Sequence, residues 1–116
     1  MNYDIVFIPS FRRSIRKLKK RFPGVKKDVR LAIDILSENP KLGALIPRGS
    51  DVRKLRVRSS DMKRGKSGGY RLLYHFDDEA GSISLLLLYA KSDRENITLG
   101  DIRKLLEEPD GEKTCF

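Results

Sequence analysis

The chain has 116 residues and a mass of 13.3 kDa, so we expect a single domain with one modest core. Lys and Arg number 25 against 16 Asp and Glu, a net charge of +9. Such a surplus is typical of a domain that meets a polyanion or an acidic protein. The single cysteine, Cys115, excludes a disulfide framework and a structural zinc site built from thiolates.

Targeting and membrane signals are not indicated. No basic stretch precedes the apolar residues near the N-terminus, as a secretory signal would require. The longest uninterrupted apolar run, at 85–90, has six residues, whereas a membrane span needs about 20. We therefore expect a soluble, cytoplasmic protein that does not interact with a membrane.

The first half of the chain predicts one strand followed by two helices. Tyr3 to Ile8 is mostly apolar and indicates a strand. Ser10 is the expected N-cap of a helix from Phe11 to Phe22, which has an apolar stripe and a basic opposite face. Pro23-Gly24 ends this helix, and a second one follows from Val25 to Ser37. Helices joined by so short a turn form an antiparallel hairpin.

The second half predicts three strands and a final helix. The strands are Val52 to Arg58, Gly69 to Phe76 and Ser82 to Lys91. The last strand is very apolar and is expected at the centre of the sheet, and the turn at 77–81 is short enough to make the last two strands a hairpin. Thr98 and Asp101 have the spacing of a capping box that opens a helix through Leu106.

These elements predict an α+β fold: an N-terminal strand, a helical hairpin, a three-stranded antiparallel meander that completes one sheet, and a C-terminal helix. We expect one domain over residues 1–108. Residues 109–116 have no apolar period and are expected to form a flexible tail.

Positive charge is concentrated in two segments. Residues 11–30 and 48–71 together hold 19 of the 25 basic residues. The first segment covers one helix face and is typical of a solvated surface. In the second, Lys54, Arg56 and Arg58 are predicted on one strand face about 7 Å apart, and the basic loop 59–69 follows. Because like charges so close repel each other, we interpret this cationic trough as a surface for a sugar–phosphate backbone.

Other kinds of site are less well supported. Gly65-Lys66-Ser67 is not a P-loop, since Ser60 stands where that motif needs glycine and a strand rather than a helix follows. The acidic run 77–79 lies in a tight turn where its carboxylates diverge, so neither a metal nor any other cofactor is expected. The only histidine, His75, shares a strand face with Arg71 and is more typical of a structural than a catalytic residue.

The remaining chemistry is that of Arg and Lys. Cleavage of RNA by its own 2′-hydroxyl needs a base, cations that stabilise the phosphorane, and an acid for the leaving oxygen. Lysines crowded by other cations have lowered pKa values, and arginine clamps a phosphate through two donors. Because DNA has no such internal nucleophile, a basic site without a metal points toward RNA.

The segment GKSGGYRLLY at 65–74, followed by LLLYAK at 86–91, resembles the RelE/ParE superfamily of toxins from bacterial type II toxin–antitoxin modules. NPKLG at 39–43 and RKLRV at 53–57 are similar to its HigB-type branch, and the resemblance extends roughly from Tyr3 to Leu106. It implies a compact RelE-like fold and a metal-independent, ribosome-dependent mRNA endonuclease that inhibits translation. The implied partners are the ribosome, mRNA and a cognate antitoxin of HigA type with a helix-turn-helix.

The resemblance also implies a site on the sheet. Arg71 matches the arginine that contacts and stabilises the scissile phosphate in RelE-type toxins. Lys54 and Arg56 match a basic pair that serves phosphate binding and proton transfer, and Lys91 matches the basic residue that ends the last strand. The implied RNA-binding residues are Arg58, Lys63, Arg64, Lys66 and His75.

Two departures leave the general acid and base open. Ser92 stands where RelE has an arginine, and Thr98 stands closest to the position of its catalytic tyrosine. The substitutes that the sequence offers are Tyr70, Tyr89 and His75.

Two other classes of function also stay open. One is a ParE-like gyrase inhibitor without RNase activity, against which the basic set Lys54, Arg56 and Arg71 argues. The other is a basic nucleic-acid-binding module, in which Arg71 would be one phosphate contact among many.

Overall fold

A five-stranded sheet organises the protein, whose computed structural model describes residues 3–62, 68–94 and 96–109. The elements in chain order are β1 (Asp4–Phe7), α1 (Pro9–Lys19), α2 (Val25–Glu38), β2 (Ala44–Leu45), β3 (Val52–Val57), β4 (Tyr70–Asp77), β5 (Ser82–Ala90) and α3 (Leu99–Glu107). The strand order is β1-β5-β4-β3-β2, with β1 parallel to β5 and the other pairs antiparallel. The predicted α+β architecture is confirmed. The last strand was expected at the centre of the sheet, but β4 takes that place, because β1 adds only one strand beyond β5, which lies between β1 and β4.

Each face of the sheet carries its own core. On one face, α1 and α2 bury apolar residues spaced at helical period, among them Phe11, Ile15, Val29 and Leu36. On the other, α3 packs Ile102 and Leu105 against residues of β1, β4 and β5. We call these the hairpin face and the α3 face. Because side chains alternate along a strand, each strand residue can be assigned to one of them.

The start of α1 differs from the prediction. The helix begins at Pro9 with Ile8 as its N-cap, and Ser10, the predicted cap, lies inside it. Proline suits the first helical turn because its φ is already set and its missing N–H is not needed there. Ser10 instead donates from its hydroxyl and its backbone N–H to the carboxylate of Glu108, which follows α3. The helix ends at Lys19, short of the predicted Phe22.

The sequence analysis missed the short strand β2. It pairs only with Arg53 and Lys54 of β3, and two residues carry no alternation that a pattern could reveal. The Tyr74 hydroxyl holds the preceding segment, because it donates to the Pro40 carbonyl at 2.8 Å and accepts from the Gly43 N–H at 2.8 Å.

The middle of β5 contains a bulge. Leu73 pairs with Leu87 and Tyr74 with Leu85, so Leu86 is the additional residue. Leu86 and Leu87 consequently both pack on the α3 face, and the Leu88 N–H donates to the Ser14 hydroxyl of α1 at 3.1 Å.

The predicted capping box of α3 is confirmed, with Thr98 and Asp101 bonded reciprocally. The predicted tail lies outside the described residues except for Pro109. Within the described ranges, no helix is long and apolar enough to cross a membrane.

Candidate nucleic-acid interface

The alternation of β3 divides apolar from basic side chains. Leu55 and Val57 pack into the core of the hairpin face. Lys54 and Arg56 alternate with them and therefore lie on the α3 face, as predicted. Arg58 follows directly after the end of β3 and is exposed.

Arg56 and Arg71 are cross-strand partners. Arg71 lies on β4 directly opposite Arg56 of β3 on one side and Tyr89 of β5 on the other. Only 7% of Arg71 is exposed, and its guanidinium donates to the Tyr70 carbonyl at 3.1 Å and, at the longer distance of 3.4 Å, to the Gly68 carbonyl. Burial, followed by the positive charge of Arg56, lowers the pKa of Arg71.

No acid among the described residues neutralises the charges of Arg56 and Arg71. Neither Arg56 nor Arg71 forms an ion pair with a carboxylate in the described part of the chain. Arginine stays charged in proteins despite a lowered pKa, so the two like charges face each other uncompensated. A phosphate placed against them would relieve this repulsion, and the low dielectric around Arg71 would strengthen the attraction.

The other predicted catalytic residues lie near the pair. Lys54 is opposite Leu73, two residues along β3 from Arg56. Lys91 follows β5, where its N–H donates to the Gly69 carbonyl at 3.1 Å, so it lies at the same end of the sheet as Arg71. The predicted RNA-binding residues Lys63, Arg64 and Lys66 are outside the described residues.

His75 is not brought to this group. It lies opposite Val52 and Ser84, four residues from Arg71 along β4, which is a separation of about 13 Å. Its role in RNA binding stays a prediction, and the closeness of Lys54, Arg56 and Arg71 to one another does not support it.

The two tyrosines proposed as proton-transfer groups lie on opposite faces. Tyr70 is fully buried in the core of the hairpin face, where its hydroxyl accepts from the Ser59 hydroxyl at 3.3 Å. Tyr89 lies on the α3 face beside Arg71, and its buried hydroxyl has no hydrogen-bond partner among the described residues. Burial raises the pKa of Tyr89, which favours the protonated phenol. Burial raises the pKa of Tyr70 too, so position alone favours Tyr89 over Tyr70 as a proton donor.

Arg94 is a basic residue near the site that the sequence analysis missed. Its guanidinium lies 5.8 Å from the centre of the Tyr89 ring and 3.3 Å from the Asp101 carboxylate. Asp93 and Glu95 flank it in the sequence, so it stands in no basic run. The weak signal available was its position three residues after Lys91.

The arrangement can bind and stabilise a phosphate through cationic donors. Among the described residues no group of three or more His, Cys, Asp or Glu could hold a metal ion. Arg56 and Arg71 can clamp a phosphate, and the amine of Lys54 and the phenol of Tyr89 lie close by.

The chain has a RelE-like toxin fold, a mixed sheet with a helical hairpin on one face. The resemblance found in the sequence is confirmed at that level. No model of a known protein family matches the chain.

The solved structures that are similar to the chain include two bacterial toxins. A mutant of the E. coli toxin RelE in the free state has a TM-score of 0.59 and 23% identity, covering 82% of this chain and 90% of that one. The toxin–antitoxin complex RelBE2 from Mycobacterium tuberculosis has a TM-score of 0.52 and 29% identity, covering 76% of this chain and 96% of the matched one. Neither is described as HigB-type, so that narrower assignment stays a prediction.

Proposed function

We propose that this chain is the toxin of a type II toxin–antitoxin module and that it cleaves mRNA on the ribosome. The observation that carries the proposal is the buried Arg71 opposite Arg56, with no carboxylate beside either in the described residues. Two uncompensated guanidinium groups on a sheet face cost folding free energy, which a phosphate ligand would recover. The similarity to toxin RelE and to the RelBE2 complex supports a toxin with an antitoxin partner.

The proposed reaction is an internal transesterification. The 2′-hydroxyl loses its proton to a base, a role that we assign to Lys54 because it is the lysine next to the arginine pair, and its oxygen forms a bond to the adjacent phosphorus. Arg71 and Arg56 stabilise the extra negative charge of the phosphorane. The bond to the 5′-oxygen then breaks, and that oxygen takes a proton, which the protonated phenol of Tyr89 can supply. The products are a 2′,3′-cyclic phosphate and a 5′-hydroxyl end.

The test compares three chains expressed to the same level: wild type, Arg71→Ala and Arg103→Ala. Arg103 is an exposed basic residue of α3, so it controls for the loss of one charge. We expect wild type and Arg103→Ala to arrest growth and to produce discrete cuts in translated message, as mapped by primer extension. Arg71→Ala should do neither while keeping its circular dichroism spectrum.

Other outcomes would point to the other classes of function. Arrest without cuts in the message would indicate a gyrase-type target. If wild type neither arrests growth nor cuts message, and Arg71→Ala only weakens RNA binding and lowers its salt dependence by about one ion, the chain is a simple nucleic-acid-binding module.

A further inference from the structure

The bulge in β5 changes which face of the sheet receives the residues that follow it. Before the bulge, odd-numbered residues such as Leu85 pack on the hairpin face, and strict alternation would place Tyr89 there too. Leu86 and Leu87 instead both pack on the α3 face, so the alternation resumes one residue out of phase. Tyr89 consequently lies on the α3 face, beside Arg71. The phenol reaches the candidate site because the strand holds this additional residue.

The backbone N–H of Leu88, just after the bulge, points away from β4. The Lys91 N–H donates to the Gly69 carbonyl, on the side of β4. Because this direction alternates along a strand, the Tyr89 N–H points toward β4 and the Leu88 N–H toward the opposite edge. On that edge β1 ends too early to help, since its pairing with β5 covers residues 82–85. The Leu88 N–H therefore needs an acceptor from outside the sheet.

Ser14 of α1 supplies that acceptor. Its hydroxyl accepts from the Leu88 N–H at 3.1 Å and donates to the Phe11 carbonyl, three residues earlier in the helix, at 2.7 Å. The bond to Phe11 uses the hydroxyl proton, so a lone pair is left to face Leu88. Phe11 is fully buried, which holds this side of the helix against the sheet. One side chain of α1 thus fixes the backbone that follows the bulge.

We propose that Ser14 is a positioning residue for Tyr89. Ser14 holds the bulge in β5, and the bulge sets the phenol on the α3 face beside Arg71. Bulges next to active sites re-aim side chains in this way. Ser14 itself acts from the hairpin face, across the sheet from the proposed RNA site. The inference rests on the proposed function in one respect, since it takes Tyr89 as the proton donor.

The alternative is that Ser14 serves stability alone. A buried N–H without an acceptor is unfavourable, so Ser14→Ala should unfold more easily under either interpretation. The two interpretations differ in what they expect of the folded protein. A positioning residue changes the place of the Tyr89 ring and the rate of the chemical step while the chain stays folded. A merely structural residue changes neither.

The experiment compares Ser14→Ala with Ser37→Ala in the full chain, at a temperature where both variants stay folded. Ser37 is the matched control, because its exposed hydroxyl makes the same kind of bond, to the Asp34 carbonyl of α2 at 2.8 Å. Ser14→Thr keeps the hydroxyl and tests rescue. NMR measures the contact between the Tyr89 ring and the Arg71 side chain and the exchange of the Leu88 amide. Cleavage of message on purified ribosomes gives kcat and KM.

We expect Ser14→Ala to weaken the contact of Tyr89 with Arg71 and to speed exchange of the Leu88 amide about tenfold. Its kcat should fall about tenfold with KM within about twofold of wild type, because the phenol is displaced while RNA binding is kept. Ser14→Thr should recover most of the loss, and Ser37→Ala should show none. In a Tyr89→Phe background, Ser14→Ala should lower kcat little further, because Ser14 acts through the phenol.

Four results would overturn the proposal. They are an unchanged contact between Tyr89 and Arg71 in Ser14→Ala, an unchanged kcat in Ser14→Ala where wild type cleaves, an equal loss in Ser37→Ala, and a full further loss when Ser14→Ala is added to Tyr89→Phe.

The two proposals can fail separately. If wild type does not cleave message, the endonuclease is rejected, and the NMR comparison alone then decides whether Ser14 sets the position of Tyr89. If wild type cleaves but Ser14→Ala keeps both the rate and the Tyr89 contact, only the role of Ser14 is rejected.

Discussion

Arg56 and Arg71 face each other across β3 and β4, and in the described residues neither is balanced by a carboxylate. Like charges directly opposite on a sheet are destabilising. Such an arrangement is typical of a site at which folding stability has been exchanged for binding or catalysis. The stability of Arg56 variants can therefore be measured independently of any RNA.

Arg56→Gln should raise the free energy of unfolding by about 0.5 kcal/mol at low salt. The gain should shrink at high salt, because screening already weakens the repulsion in the wild type. Urea unfolding at two salt concentrations measures both effects, with Arg103→Gln as a control that should change little. A loss of stability in Arg56→Gln would show that the pair does not repel. Under the proposed function the same variant should cleave message poorly.

The two buried tyrosines of β4 and β5 should respond oppositely to loss of the hydroxyl. Tyr74→Phe leaves the buried Gly43 N–H and the Pro40 carbonyl without their partner, so we expect a loss of about 2 kcal/mol. Tyr89→Phe removes a buried hydroxyl that has no partner among the described residues, so stability should stay the same or rise. Equal losses in thermal or urea unfolding would contradict this difference.

Tyr89→Phe also tests the assignment of the proton donor. If the phenol protonates the leaving 5′-oxygen, the cleavage rate on ribosome-bound message should fall about a hundredfold. Tyr74→Phe is the control for the loss of a hydroxyl, since Tyr74 belongs to the core of the hairpin face. Under conditions where it stays folded, Tyr74→Phe should cleave at nearly the wild-type rate. An unaltered rate in Tyr89→Phe would remove it from the mechanism.

How much the sequence predicts depends on the range of the interactions involved. Local sequence pattern identified α2, the three long strands and, through the spacing of Thr98 and Asp101, the capping box of α3. It missed β2, whose position depends on the contact of Tyr74 with a segment 31 residues earlier in the chain. It misplaced the start of α1, because Pro9 begins the helix and the side chain of Ser10, the predicted cap, bonds Glu108 at the other end of the chain.

The same limit applies to the site. The sequence shows that basic and apolar residues alternate along β3, with Lys54 and Arg56 between Leu55 and Val57. It does not show that Arg56 pairs with Arg71, because that pairing depends on strand register. Sequence could not choose between Tyr70 and Tyr89, since only the sheet places them on opposite faces. Arg94 was missed because its approach to Tyr89 depends on the turn that follows β5.

Asp28 should stabilise the segment that leaves β3. Asp28 is only 7% exposed, and its carboxylate accepts from the Ser60 N–H at 2.9 Å and from the Ser60 hydroxyl at 3.1 Å. Asp28→Ala should cost about 2 kcal/mol, because both donors lose a charged acceptor. Asp34→Ala, an exposed change on the same helix, should stay within about 0.5 kcal/mol. Urea unfolding compares the two, and equal effects would show that the Ser60 contacts contribute nothing.

The capping box of α3 should give a defined acid dependence. Hydrogen bonding with Thr98, through its side chain and then its backbone, lowers the pKa of Asp101 from the ordinary 3.8, and Arg94 adds a smaller effect. Because the ionised form is favoured in the folded state, its contribution is present above pH 3.8. It is lost as the pH falls through the lowered pKa, where the unfolded chain binds the proton first.

Asp101→Asn should therefore be less stable than wild type at pH 6, and the difference should narrow once the pH falls below about 4. Other carboxylates titrate in both proteins and cancel in the comparison. Asp78→Asn, in the exposed turn after β4, should show no such narrowing. The difference in the free energy of unfolding between wild type and Asp101→Asn could instead stay constant from pH 6 to pH 3. In that case the asparagine side chain would be a weaker cap because of its geometry, and the charge of Asp101 would not matter. Because Arg94 contacts both Asp101 and the ring of Tyr89, protonation of this cap would also free Arg94 beside the candidate site.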